Sequence, residues 1–305
     1  MKTIMFHRFN DCKNNSTGQG SFSPSRLKEY IESIGKDNFF NIEDIINLRK
    51  KSIIPNGKIL LTFDDGLFSQ YQSAKPILDD YGIKSIWFIY TKILEKNFDE
   101  NEILNFFIST YFSSFDEFYR IFESLISPNK INWDSKLFNI YCKEIDSKFN
   151  FYTLLDKKFR FLRNKILTER EFRSIVMEII ESRGLKFNEL GNKIWIDENM
   201  IKEISADGHE VGLHSHTHPY EMKKLAYSEQ FLDYKKNYDY LTRICSIRPI
   251  SVAYPLGSYN YDTLRVMNKL DIRIGFISSR NILKKYKNLG DQLLSLPRID
   301  SSNIK

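Results

Sequence analysis

Short apolar runs that end in polar or glycine-containing turns recur along this chain, with stretches of helical periodicity between them. That alternation constrains the fold more than any other feature. The runs at 58–63, 85–90, 209–213, 251–254, 273–277 and 293–299 read as short strands, and 3–9 reads as another at the start. Between strands, Ser23 predicts a helix N-cap, Pro24 the first helical position and Gly35 the stop, with Leu27, Tyr30, Ile31 and Ile34 on one face. Further helices are predicted over 42–50, 69–81, from a cap at Asp197 to near Gly208, and over 228–245 and 262–270. Parallel strands need long crossovers, which helices usually provide, so the alternation predicts a parallel sheet with helices packed outside it.

Two stretches depart from the pattern. An Asn-, Ser- and Gly-rich loop runs to about Phe22. From 94 to 191 the chain is rich in Phe, Leu, Ile, Lys and Glu with helical spacing and a single proline, Pro128, which reads as a helical insertion. Its aromatic residues are expected to pack inward, since apolar residues at helical spacing usually form core.

The 305 residues suffice for one large core, or one core and an accessory lobe. A net charge of +6, from 45 basic and 39 acidic residues without a single-sign block, gives no clustered basic face for nucleic acid. Cys12, Cys142 and Cys245 are odd in number and far apart, which argues against a disulfide framework or a zinc knot. The opening MKTIMFHRFND lacks the apolar run of a signal peptide, and no segment reaches the ~20 apolar residues of a membrane span. A cytoplasmic protein is the expectation.

Chemistry concentrates at two strand ends. Asp64 and Asp65 follow the apolar run 58–63 and precede Gly66. Taken alone, Asp-Asp-Gly reads first as a plain turn. Three of the five histidines fall in His214-Ser215-His216-Thr217-His218, directly after the run 209–213. Two imidazoles and one carboxylate form a common zinc ligand set that leaves room for reactive water. On a helical turn, His214 and His218 would share a face while His216 points elsewhere. A polar loop of exposed histidines is the alternative.

Together, LLTFDDG, GHEVGLHSHTHP and VAYPLGSYN, in this order, resemble the motifs of the polysaccharide deacetylases of carbohydrate esterase family 4, the NodB-homology group. The resemblance implies a distorted parallel β/α barrel formed by 1–93 and 192–305, with 94–191 inserted. It implies a divalent metal, expected to be zinc, held by Asp65, His214 and His218, with Asp64 as the base that activates water. The family's Arg-x-Pro-Tyr-Gly motif is here Ala253-Tyr254-Pro255-Leu256-Gly257, so the arginine and tyrosine are replaced. The Leu256 N–H still offers an oxyanion donor, with Tyr254 and Pro255 beside it on the substrate side. Arg298, in LPRID, is the candidate substitute for the missing arginine. No histidine follows His218, but Phe6-His7-Arg8-Phe9 is similar to a subgroup whose catalytic histidine lies near the N-terminus, which makes His7 the expected acid.

The implied activity is removal of an N-acetyl group from an amino sugar in bacterial surface-glycan biosynthesis, such as capsule or lipopolysaccharide. The carrier, nucleotide or lipid, is left open, and the insertion is a candidate oligomer contact. Two alternatives stand beside it: a catalytically silent carbohydrate-binding protein of the same fold, and an N-deformylase acting on a sugar.

Overall fold

The computed structural model describes residues 1–10, 21–131, 134–146, 152–278 and 293–304. Cys12 and most of the Asn-, Ser- and Gly-rich loop lie outside these residues. The chain divides into two compact units. One comprises Met1–Phe98 with Asn192–Lys305, and the other Asp99–Gly191.

In the first unit, β1 (Lys2–Phe6), β2 (Ile59–Phe63), β3 (Ile86–Ile89), β4 (Glu210–Leu213), β5 (Ser251–Ala253), β6 (Ile274–Ser278) and β7 (Leu296–Asp300) form a closed barrel in sequence order. Every pairing is parallel, and β7 closes on β1 through Ile4↔Ile299 and Met5↔Asp300. All residues of β2, β3 and β4 are buried, as expected of strands covered on both faces. A buried cluster includes Leu60, Phe88, Ala253, Ile274 and Phe276 from the strands, with Phe40, Ile45 and Leu48 from the segment before β2. Phe6, Phe63 and Trp87 are cross-strand partners in register and stack in series, at 5.4 and 4.4 Å between centroids.

Most elements lie where periodicity and caps predict them. Ser23 caps the helix Pro24–Ile34 and Gly35 ends it, while Asp197 caps Glu198–Ala206. Three expectations are corrected. The first strand stops at Phe6, so His7 stands in the turn beyond it. The helix expected over 69–81 is two helices, Phe68–Ser73 and Lys75–Tyr81, with Pro76 in the first turn of the second, where proline is accommodated but cannot continue a helix from upstream. The last strand begins at Leu296, three residues later than expected.

The second unit is helical, from Glu100–Tyr111 through Glu169–Ser182. Phe107, Phe118, Phe122 and Phe159 are buried in it, which bears out their reading as core.

The barrel leaves no room at Gly212 on β4, where a Cβ would lie 2.6 Å from Phe88 Cδ1 and also strike Ser251 Oγ. Gly212→Ala should therefore cost about 1–3 kcal/mol through overpacking, read as a lower midpoint in urea unfolding. An unchanged midpoint would contradict this packing.

Candidate metal centre and active site

Parallel strands deliver their carboxyl ends to one rim, where side chains from distant parts of the sequence can meet. Asp64 and Asp65 follow β2, His214 follows β4 and His7 follows β1. Asp65 has a left-handed backbone (φ 74), a conformation that aspartate tolerates better than most residues. The Asp-Asp-Gly turn is thus real, and it also presents a carboxylate.

Asp65, His214 and His218 each offer one ligand atom, all within 4.8 Å of one another. His214 Nε2 lies 3.2 Å and His218 Nε2 3.4 Å from the same Asp65 oxygen. Two ligands on one tetrahedral ion at zinc bond lengths stand about 3.4 Å apart, so the spacing suits a shared ion. Proton placement points the same way. His214 Nδ1 lies 2.7 Å from the Ala253 carbonyl, which can only accept, so this nitrogen carries the proton. In its neutral form His214 then presents the Nε2 lone pair to the Asp65 oxygen, a pair of donors that a cation between them would satisfy. Donation of the second ring N–H to a carbonyl is also the usual support of a metal-bound histidine. Burial raises the Asp65 carboxyl, but when no ion intervenes and the Nε2 atoms of His214 and His218 carry protons, their hydrogen bonds outweigh it and hold the group well below the ordinary value.

The convergence does not come from a helical turn, which corrects the expectation for 214–218. Ser215 (φ 63) and His218 (φ 54) are both left-handed, and the His218 N–H donates to Ser215 Oγ at 3.0 Å. This tight turn swings both imidazoles to one side. His216 points away, with Nδ1 2.9 Å from Thr91 Oγ1 and its ring stacked on Tyr240.

Asp64 is buried and gripped by Arg298, whose two terminal nitrogens each donate to one carboxylate oxygen at 2.6 Å. Arg298 also donates to Thr62 Oγ1 at 3.2 Å, and its guanidinium stands over the Phe88 ring at 5.5 Å. Burial pushes the Asp64 carboxyl up, yet the charge of Arg298, and then those of His214 and His7, hold it below its ordinary value. His7 Nε2 lies 4.0 Å from Asp64 Oδ2, with its side chain 41% exposed.

The turn after β5 is mixed. Leu256 is 55% exposed and left-handed (φ 51), a strained backbone for leucine. Pro255 is buried. Tyr254 is also buried; its hydroxyl donates to the Leu294 carbonyl at 2.9 Å and its ring stacks on Tyr259. The Tyr254 side chain therefore packs behind the turn, turned toward β7.

Sequence reasoning passed over Gln70. Fully buried, its amide donates to the carbonyls of His7 and Asp64, both at 2.6 Å, tying the two turns together. Nothing in its local sequence separates it from any other helical glutamine.

Residues 171–275 match the family model described as polysaccharide deacetylase, a span that contains both histidines and the Ala253–Gly257 turn but neither aspartate. No curated protein matches the sequence. In fold, the chain is similar to the Streptococcus pyogenes deacetylase PplD in complex with acetate, with 17% identity, a TM-score of 0.55, and 98% of this chain and 91% of that one covered. It is similar to a de-N-acetylase from Aggregatibacter actinomycetemcomitans at 14% identity and a TM-score of 0.54, covering 98% and 93%. It is also similar to IcaB from Ammonifex degensii at 14% identity and a TM-score of 0.52, covering 98% and 90%. The span that carries both histidines thus matches the polysaccharide deacetylase model, and the whole chain shares its fold with the solved structures above.

Proposed function

We propose that this protein is a metal-dependent N-deacetylase acting on an N-acetylated amino sugar of a bacterial surface glycan, with zinc as the ion. The observation that carries the reading is the meeting of Asp65, His214 and His218 beside a paired, ionised Asp64. Solved structures of similar fold include proteins described as a deacetylase and a de-N-acetylase, which supports the same class of reaction.

In this reading Asp65 and the Nε2 atoms of His214 and His218 hold the ion. A divalent cation supplies Lewis acidity there, acidifying water and polarising a carbonyl oxygen. Pairing with Arg298 keeps Asp64 ionised across the working pH range, ready to accept a proton from the attacking water. The Leu256 N–H donates to the acetyl oxygen as it gains charge. An amine leaves poorly unless protonated, and His7 gives its proton to the sugar nitrogen. Its exposure lets it recover a proton from solvent. The loss of the family arginine at Ala253 argued for a silent binding protein, and the grip of Arg298 on Asp64 weakens that argument.

Three outcomes are expected. Incubation with N-acetylated amino-sugar oligomers should release acetate, stop with a chelator and resume with zinc; no acetate from a zinc-loaded, folded protein would end the proposal. His7→Ala should lower kcat by ~10²–10⁴-fold while zinc stays bound, measured by kinetics beside metal analysis. Loss of the metal in that variant would instead make His7 a ligand.

The third outcome concerns Arg298→Met. The wild-type Asp64, held below its ordinary value, contributes stability that is present above the unfolded carboxylate pKa and lost as pH falls through the folded one. Without Arg298, burial outweighs the histidines that remain and raises that pKa. The variant should therefore lose about 3–5 kcal/mol at neutral pH and less in acid, where the lone carboxyl can protonate. Urea unfolding at both pH values reads this, and an equal loss at each would refute the pairing.

A further inference from the structure

The loop that carries His214 and His218 is held by residues that belong to none of the sequence motifs. Asn237, fully buried on the helix Tyr227–Cys245, accepts the His214 N–H on Oδ1 at 3.0 Å. Its amide donates to the Ile89 carbonyl at 2.9 Å, at the end of β3, and to Thr91 Oγ1 at 3.2 Å. One turn earlier on the same helix, Asp233 accepts the His216 N–H at 2.6 Å, the Thr217 N–H at 3.2 Å and the Thr217 hydroxyl. Residues four apart share a helix face, so both side chains reach the loop together. Thr91 completes the arrangement through His216 Nδ1.

A short segment with two left-handed non-glycine residues, Ser215 and His218, does not hold that shape unaided. Something outside it must supply the order. The main-chain N–H groups of residues 214, 216 and 217 are all committed to this one helix face.

We propose that Asp233 and Asn237 form a two-point clamp that presets the His214–His218 turn for its cation. They act as positioning residues, holding the ligand-bearing main chain before the ion arrives. The inference rests on the reading of Asp65, His214 and His218 as a metal centre. Asn237 fixes the first ligand's backbone against β3, and Asp233 fixes the peptide groups between the two ligands. Preorganisation of this kind lowers what the ion must spend on ordering its ligands. Loss of partners that orient ligands typically weakens metal binding by about 10–100-fold.

The test is a cobalt(II) titration of the metal-stripped full-length protein, read by its visible absorption bands, beside thermal melting. Asp233→Ala and Asn237→Ala should each bind cobalt about 10–100-fold more weakly, with altered bands, at temperatures where both remain folded. Asp233→Asn, which keeps an oxygen acceptor, should fall between Asp233→Ala and wild type. Asp239→Ala, on the same helix but exposed and paired with Lys235, should bind like wild type. Leu241→Ala, which removes a buried side chain of that helix, should lower the melting temperature and leave cobalt affinity unchanged. If Asn237→Ala does not fold, the Asp233 pair carries the test. Wild-type affinity and bands in a folded Asp233→Ala would overturn the clamp, as would equal weakening by Leu241→Ala. A wild-type protein that takes up no cobalt would instead overturn the metal centre itself, and the clamp with it.

Discussion

Closure of the barrel through β7 against β1 is the constraint on which the site depends. It places β7, β1 and β2 side by side, so Arg298, His7 and Asp64 arrive at one stretch of the rim from opposite ends of the sequence. In an open sheet with the same strand order, β7 would lie at the far edge from β2. Asp64 would then be a buried carboxylate without a counter-charge, which is costly. Closure and pairing therefore support one another. Arg298 is tolerated in the interior because both terminal nitrogens meet Asp64 and one also meets Thr62.

The rim carries ordered polar groups on a strained main chain. Asp65, Ser215, His218 and Leu256 all occupy left-handed conformations without being glycine, and each lies at the turn after a barrel strand or within the loop beyond it. Such backbones persist only where the surroundings over-determine them. Here the surroundings are the Gln70 amide across the His7 and Asp64 turns, Ser215 Oγ beneath His218, and the helix Tyr227–Cys245 behind His214. The apolar barrel supplies rigidity below, and these hydrogen bonds carry it to the polar groups of the rim.

Much of this was legible in the chain. Caps at Ser23 and Asp197, the buried strands and the candidate ligand types follow from local rules, because a cap or a strand depends on neighbours a few residues away. The turn geometry at His214–His218 was not legible. Spacing of four suggests a helix, and only Asp233 and Asn237, on a helix some residues later, select the left-handed turn instead. Gln70 and Tyr254 were opaque for a similar reason. One looked like any helical glutamine and the other like a residue facing substrate, until distant carbonyls fixed where their polar atoms go.

The sequence alone determined which groups are available: two adjacent carboxylates at a strand end, a histidine pair four apart, a histidine near the N-terminus and an arginine near the C-terminus. Their identities set the chemistry, because a carboxylate with two imidazoles suits a divalent ion in any fold. Only the tertiary structure decided which of them meet, and which ring nitrogen of His214 faces the others. Ring closure brings Arg298 to Asp64, and the Ala253 carbonyl commits His214 to presenting Nε2. Such outcomes depend on distances through space between residues far apart in the chain, which no local pattern encodes.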